Sequence, residues 1–344
     1  MTAAIEARQL CKRFTTRRRA ASIGAAFRQL LSPVHHEHVA VDAVSFRIEP
    51  GERVAFVGPN GAGKSTTIKM LSGILHPSGG SASVLGLTPW RQRRELAYRI
   101  GTVFGQRSQL WYQLPASDSF ELLGRVYDRE RQEHRRRQRE LVERFGLGDE
   151  LDKPVRELSL GQRMRCEIVA SLLHDPDLVF LDEPTIGLDV TAKAIIRSVL
   201  LEQSQREGKT LLFTSHDTGD MESVCERVII IHHGRVLVDQ SLAELRRSHL
   251  RRKLLVLHTA EPEVEITLAG VSVVARAPHR LELELDLDRV GVEQVVQHVM
   301  GRARLRDLTV SDPPMEEVIR ELYGRAPGAR VASEPEPVSA GGGP

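Results

Sequence analysis

Residues 58–66 read Gly58-Pro59-Asn60-Gly61-Ala62-Gly63-Lys64-Ser65-Thr66. They follow VAVDAVSFRIEPGERVAFV at 39–57, whose last part is uniformly apolar, as a strand buried on both faces requires. They precede TTIKMLSGIL, a helical stretch that stops before Pro77. Strand, glycine-rich loop and helix in that order match the phosphate-loop pattern, with Gly58, Gly63, Lys64 and Ser65 in their places. A triphosphate needs many donors in a small space. Backbone amides of the loop through Pro59, Asn60, Gly61 and Ala62, and the following helix N-terminus, supply them. Lys64 is placed to reach the β- and γ-phosphates, Ser65 to ligate Mg²⁺, and Thr66 to add a phosphate contact. The element pattern predicts an α/β fold of the P-loop NTPase type.

A second stretch, LVFLDEP at 178–184, is an apolar strand ending in two carboxylates. Downstream of a phosphate loop, Asp182 at the strand tip suits Mg²⁺, and Glu183 suits a general base for the attacking water. Further short apolar runs, TLLFTS at 210–215 and RVIII at 227–231, alternate with helical segments, which argues for a parallel sheet. From about 95 to 160 the pattern is mostly helical. Asp118 and Glu121 have the spacing of a capping box opening SFELLGRVY. Residues 133–145 and 162–173 read as further helices.

Between the two motifs lies Leu158-Ser159-Leu160-Gly161-Gln162. It resembles the signature motif of ABC ATPases, with Leu160 where that motif has glycine. The resemblance covers residues 5 to about 247 and is closest to ATPase subunits of exporters of drugs, ions or polysaccharides that pair with a separate six-helix permease. It implies a RecA-like core with a helical subdomain, and ATP with Mg²⁺ as cofactors. Two copies would sandwich ATP, each site joining one chain's loop to the other chain's Ser159, Gly161 and Gln162. The resemblance also assigns Gln106 to the glutamine loop that senses Mg²⁺ and γ-phosphate, Asp189 to the D-loop, and His216 to the switch histidine. Phe14 falls where the family stacks an aromatic on adenine; Phe27 is a rival, and core packing is the alternative for Phe14.

The rest of the chain bounds these expectations. Its 344 residues suggest about two domains at roughly 150 residues each. A hydrophobic content of 41% and a charged content of 27% exclude collagen, a disordered chain and a disulfide-stapled mini-protein. A net charge of +2 gives no global reason for nucleic-acid binding. Cys11, Cys166 and Cys225 are too scattered for a metal site or a disulfide framework. No apolar run approaches the roughly 20 residues of a membrane span. Residues 15–38 read as an insertion holding either a short amphipathic helix packed on its own domain or a membrane or partner contact. It ends in the histidines His35, His36 and His38.

The expected organisation is an ATPase domain at 1–247, a small α+β domain at 253–325 and a disordered tail at 326–344. In the second domain, the acidic stretch Glu282 to Asp288 alternates with leucine, as a half-buried strand does, and Val292, Val295, Val296 and Val299 have helical spacing. The leading functional expectation is the ATP-hydrolysing subunit of an exporter, dimeric and held on the cytoplasmic face of the membrane by a permease. A soluble ABC ATPase acting on nucleic acid or ribosomes is the alternative. It is disfavoured because the chain has one phosphate loop and one signature, and because Lys64 and Ser159 lie too close for an intervening coiled coil. A non-hydrolysing ATP-binding module is disfavoured by Glu183 and His216.

Overall fold

The computed structural model describes residues 2–17, 35–105, 108–215, 217–249 and 252–325. The chain forms two compact units, Met1–Ala243 and Glu244–Pro344.

In the first unit a six-stranded sheet runs β5(Ile100–Phe104)–β6(Leu178–Asp182)–β7(Thr210–Thr214)–β3(Arg53–Val57)–β8(Arg227–His232)–β9(Arg235–Ser241). All neighbours are parallel except β8 and β9. The central strands β3, β6 and β7 are buried at every position, so they read as apolar runs without alternation. Helix α1(Lys64–Leu71) follows β3 through the glycine-rich loop.

A second sheet, β2(His35–Ile48)–β1(Ile5–Arg17)–β4(Gly79–Val84), is antiparallel and was not foreseen as a separate layer. Its apolar side and the six-stranded sheet share one core, in which Ile68, Met70 and Leu71 of α1 lie with Phe46 of β2 and Phe56 of β3. The Phe46 and Phe56 ring centroids are 5.7 Å apart. The expected insertion at 15–38 begins and ends as strand: Thr15 pairs with Glu37 and Arg17 with His35. The three histidines therefore belong to β2, while the residues proposed for an amphipathic helix, and Phe27, lie outside the described residues.

The helical segment contains α2(Arg93–Ala97), α3(Ala116–Val126), α4(Arg131–Arg144) and α5(Leu160–Leu172). Helix α3 starts three residues earlier than the Asp118 capping-box reading. Pro115 is its N-cap and no side chain caps it, so Asp118 instead sits in the first turn, where its charge favours the positive helix end. Three further helices, α6(Val190–Glu207), α7(Thr218–Val224) and α8(Leu242–His249), complete the series before the second sheet domain.

The second unit holds an antiparallel sheet β11(Val271–Ala277)–β12(Arg280–Asp286)–β10(Arg252–Thr259)–β13(Leu305–Ser311) with α9(Val292–Met300) and α10(Met315–Arg325). Leu281, Leu283 and Leu285 point inward with Leu255 and Leu257, and Val295 and Val299 of α9 cover them. The acidic residues between those leucines face outward, as the alternation requires. The tail 326–344 lies outside the described residues.

Candidate functional site

The glycine-rich loop forms a cage of backbone. A Cβ at Gly58 would lie 2.4 Å from the Ile231 carbonyl oxygen, and one at Gly63 2.5 Å from that of Ala40. Gly63 also has φ +105°, outside the range L side chains occupy cheaply. The loop is thus pinned between β8 and β2. The Gly234 amide, in the β8–β9 turn, donates to the Ala62 carbonyl at 3.0 Å and fastens the loop from a third side. At the start of α1 the amides of Lys64, Ser65 and Thr66 have no carbonyl one turn earlier to donate to. Thr67 closes the first bond, to Gly63, at 2.9 Å. Among the described residues the hydroxyls of Ser65 and Thr66 have no partner within the protein.

Lys64 is buried in this cage and donates from Nζ to the Gly58 carbonyl at 2.6 Å and the Pro59 carbonyl at 3.3 Å. Burial pulls its pKa down; the nearby carboxylates of Glu183 and Asp182 oppose that pull. The structure therefore brings Lys64 of one motif to the Asp182–Glu183 pair of the other.

The acid pair is set by Thr214, at the end of β7. The Thr214 hydroxyl donates to Asp182 Oδ1 at 2.8 Å and accepts from the Glu183 amide at 2.9 Å. The same amide reaches the Thr214 carbonyl at 3.2 Å. Glu183 has φ +56°, a left-handed conformation costing a non-glycine residue about 1–3 kcal/mol. The two bonds to Thr214 hold it there, so the glutamate backbone is fixed against its own preference. Thr214 was missed in the sequence; its only signal there is a polar residue ending an apolar strand.

The signature segment lies apart from the loop. Ser159 is the N-cap of α5, with φ −60° and ψ 162°, and forms a reciprocal capping box with Gln162. The Gln162 amide donates to Ser159 Oγ at 3.2 Å and the Ser159 amide to Gln162 Oε1 at 2.8 Å. Leu160 is the first helical residue, at negative φ, and is exposed. Its departure from glycine thus introduces no backbone strain. A Cβ at Gly161 would sit 3.1 Å from that of Ala192 and 3.9 Å from Asp189 Oδ2, which places the signature beside the start of α6. Asp189 caps α6 by accepting from the Ala192 amide at 2.8 Å. Among the described residues no hydrogen bond joins Ser159–Gln162 to residues 58–66.

Gln106 and His216 lie outside the described residues. Their flanks are described. A Cβ at Gly105 would lie 3.0 Å from the Asp182 carbonyl, so the chain entering Gln106 runs beside the acid pair. Beyond position 216, Asp220 is fully buried and accepts from Thr185, Ser215 and Arg197, while Asp217 accepts from Lys193 at 2.5 Å. Phe14 is half-buried on β1 with Lys12 Nζ 5.2 Å from its ring centroid. A cavity of about 460 Å³ lies elsewhere, between α3 and α4, lined by Arg125, Arg129, Arg131 and Arg135 among others.

A buried lysine in a backbone cage, facing a strand-tip acid pair on a parallel sheet, defines a P-loop NTPase. The ABC transporter family model matches residues 41–186. The chain is 39% identical over 209 residues to the ABC transporter ATP-binding protein NatA of Bacillus subtilis, covering 61% of this chain and 85% of that protein. It is 32% identical over 311 residues to the daunorubicin/doxorubicin resistance ATP-binding protein DrrA of Streptomyces peucetius, covering 88% and 94%. That similarity is longer than the first unit and so extends into the second. Among solved structures, a dimeric ATP-binding cassette in a post-hydrolysis state with ADP and inorganic phosphate superposes with a TM-score of 0.58 at 25% identity, covering 69% of this chain and 98% of that one. The protein belongs to the ABC transporter ATP-binding subunits and is an ATPase. Among the described residues no helix is long and apolar enough to cross a membrane.

Proposed function

We propose that the chain powers export through a separate permease, working as a homodimer on the cytoplasmic membrane face, with the residue roles that follow. The observation that carries the reading is Glu183, held at φ +56° by Thr214 beside Asp182 and Lys64.

The loop amides and the Lys64 ammonium bind the phosphates of ATP, and Lys64 exchanges its two carbonyl partners for phosphate oxygens. The Ser65 and Thr66 hydroxyls, unpartnered among the described residues, and the Asp182 carboxylate suit Mg²⁺ and phosphate; Mg²⁺ held there would supply neutralising charge. Glu183 accepts the proton of the attacking water. Gln106 and His216 contact the γ-phosphate region as the family resemblance implies, and Phe14 stacks on the base. The separation of Ser159–Gln162 from the loop within one chain supports a shared site: Ser159, Gly161, Gln162 and Asp189 serve the partner copy's nucleotide. The exposed aromatic turn at Trp111 and Tyr112 is the contact for the permease. Export follows the drug-resistance relative. The organisation proposed is an ATPase domain to residue 247 and an accessory domain at 253–325 that keeps two copies close.

Glu183→Gln keeps size and backbone bonds but removes the base. ATP turnover should fall at least about 10²-fold, with nucleotide binding retained and a stable ATP-bound dimer in sedimentation. Near-normal turnover would remove the assignment.

A further inference from the structure

Glu167 lies in the middle of α5, about two turns past Ser159, and is 5% exposed. A carboxylate buried this far costs several kcal/mol unless its oxygens are filled. They are filled by one short segment. Ser108 Oγ donates to one carboxylate oxygen, and the Gln109 amide donates to the other at 3.0 Å. The Gln109 side chain adds a bond from Nε2 to the Glu167 carbonyl at 2.9 Å. Burial pushes the Glu167 carboxyl above its usual range, and the bonds from Ser108 and Gln109 pull it back.

The same segment is tied on its other side to the residues leading into the signature. The Val155 amide donates to the Leu114 carbonyl at 3.0 Å and the Arg156 amide to the Tyr112 carbonyl at 3.1 Å. Arg156 Nη1 reaches Gln113 Oε1 at 2.6 Å. Residues 108–114 are thus bonded to α5 and to 155–156, on both sides of Ser159. They begin two residues after Gln106 and carry the exposed Trp111 and Tyr112.

We propose that Glu167 is a positioning residue that clamps the 108–110 turn to the signature helix, so that the segment following Gln106 and the signature move as one piece. The proposal rests on the shared-site reading above. A push on the Trp111–Tyr112 turn then shifts Ser159 directly, and the seating of the signature on the partner's nucleotide follows the glutamine segment. The carboxylate suits this because its two oxygens accept at once, one from a hydroxyl and one from a backbone amide.

The test compares Glu167→Ala, Glu167→Gln and Ser108→Ala in the full chain. Glu167→Ala should lower kcat about tenfold while KM for ATP changes less than about threefold. Glu167→Gln should restore at least about half of the turnover, because its amide still accepts from Gln109 and donates to Ser108. Hydrogen exchange should quicken together at 108–114 and at 155–162 in Glu167→Ala. If Glu167→Ala does not fold, Ser108→Ala removes one bond without a cavity and should lower kcat about threefold with unchanged KM. Turnover within twofold of the parent in every folded variant, or faster exchange confined to 108–114, would overturn the clamp. Glu183→Gln run in parallel separates the two readings: if it abolishes turnover while the clamp variants do not alter it, only the clamp fails.

Discussion

The loop at 58–66 and the signature at 158–162 are both helix N-termini proposed to meet phosphate, yet they are built in opposite ways. The first is enclosed: three neighbouring segments press on it, and two of its glycines have no room for a methyl group. The second is more open: Ser159 and Leu160 are exposed, and it is held by its own Ser159–Gln162 capping box and a bond from Gln162 Nε2 to Glu150 at 2.9 Å. Enclosure suits a site that must grip a ligand within one chain. Openness suits a surface that completes a site only when another molecule arrives. The price of a substitution should therefore differ sharply between them.

Gly63→Ala should have the largest effect. Its Cβ would meet the Ala40 carbonyl at 2.5 Å with φ at +105°. A stability loss of about 3 kcal/mol or more is expected, together with loss of measurable ATP affinity. Denaturant melts and calorimetry with ATP read both. Retained ATP binding would mean that the loop is as open as the signature.

The far end of the signature helix is buried, which sharpens the contrast within α5 itself. His174, just past α5, donates from Nε2 to the Ile100 carbonyl at 3.0 Å and stacks on Tyr127 with ring centroids 3.9 Å apart. Burial lowers its pKa from 6.5 to about 4. Below pH 6.5 the unfolded chain takes up this proton and the folded chain does not, so stability is full above 6.5 and is lost as pH falls toward 4. The total is about 3 kcal/mol. His174→Gln should flatten that part of the stability–pH curve measured by denaturant unfolding between pH 7 and 4.5. An unchanged slope would mean that His174 is not the anchor.

Ser159→Ala removes the cap and should cost about 1 kcal/mol. ATP affinity of the monomer should stay unchanged while dimer turnover falls. A drop in monomer affinity would show that the signature contributes to its own chain's loop. The smallest effect is expected at Leu160. Because Leu160 already sits at helical φ, restoring the glycine of the usual motif should destabilise by about 0.5–1 kcal/mol, not stabilise. A rise in melting temperature for Leu160→Gly would show that the position strains against its side chain.

The residues of the two main motifs were legible because their chemistry demands fixed types at fixed spacing. Loop amides, a lysine and a hydroxyl must be contiguous to surround one phosphate group. The parallel strands were legible because burial on both faces removes alternation. The antiparallel sheet β2–β1–β4 was not, since Gly79, Gly80 and the bulged register of β1 and β2 break the period of two. Helix α3 was placed late because a side-chain pair at capping distance looks alike whether it starts a helix or lies in its first turn.

The sequence by itself determined the class of ligand and singled out Lys64, Asp182 and Glu183 as the proposed site residues, because each reading depends on neighbours along the chain. Only the tertiary structure decided what holds them. Thr214 on β7 sets both acids on β6, Ala40 on β2 closes over Gly63, and Glu167 clamps a turn about sixty residues earlier in the chain. Those partners are brought near by strand pairing and core burial, which act through space. No spacing rule along the chain encodes which distant threonine, carbonyl or carboxylate will arrive.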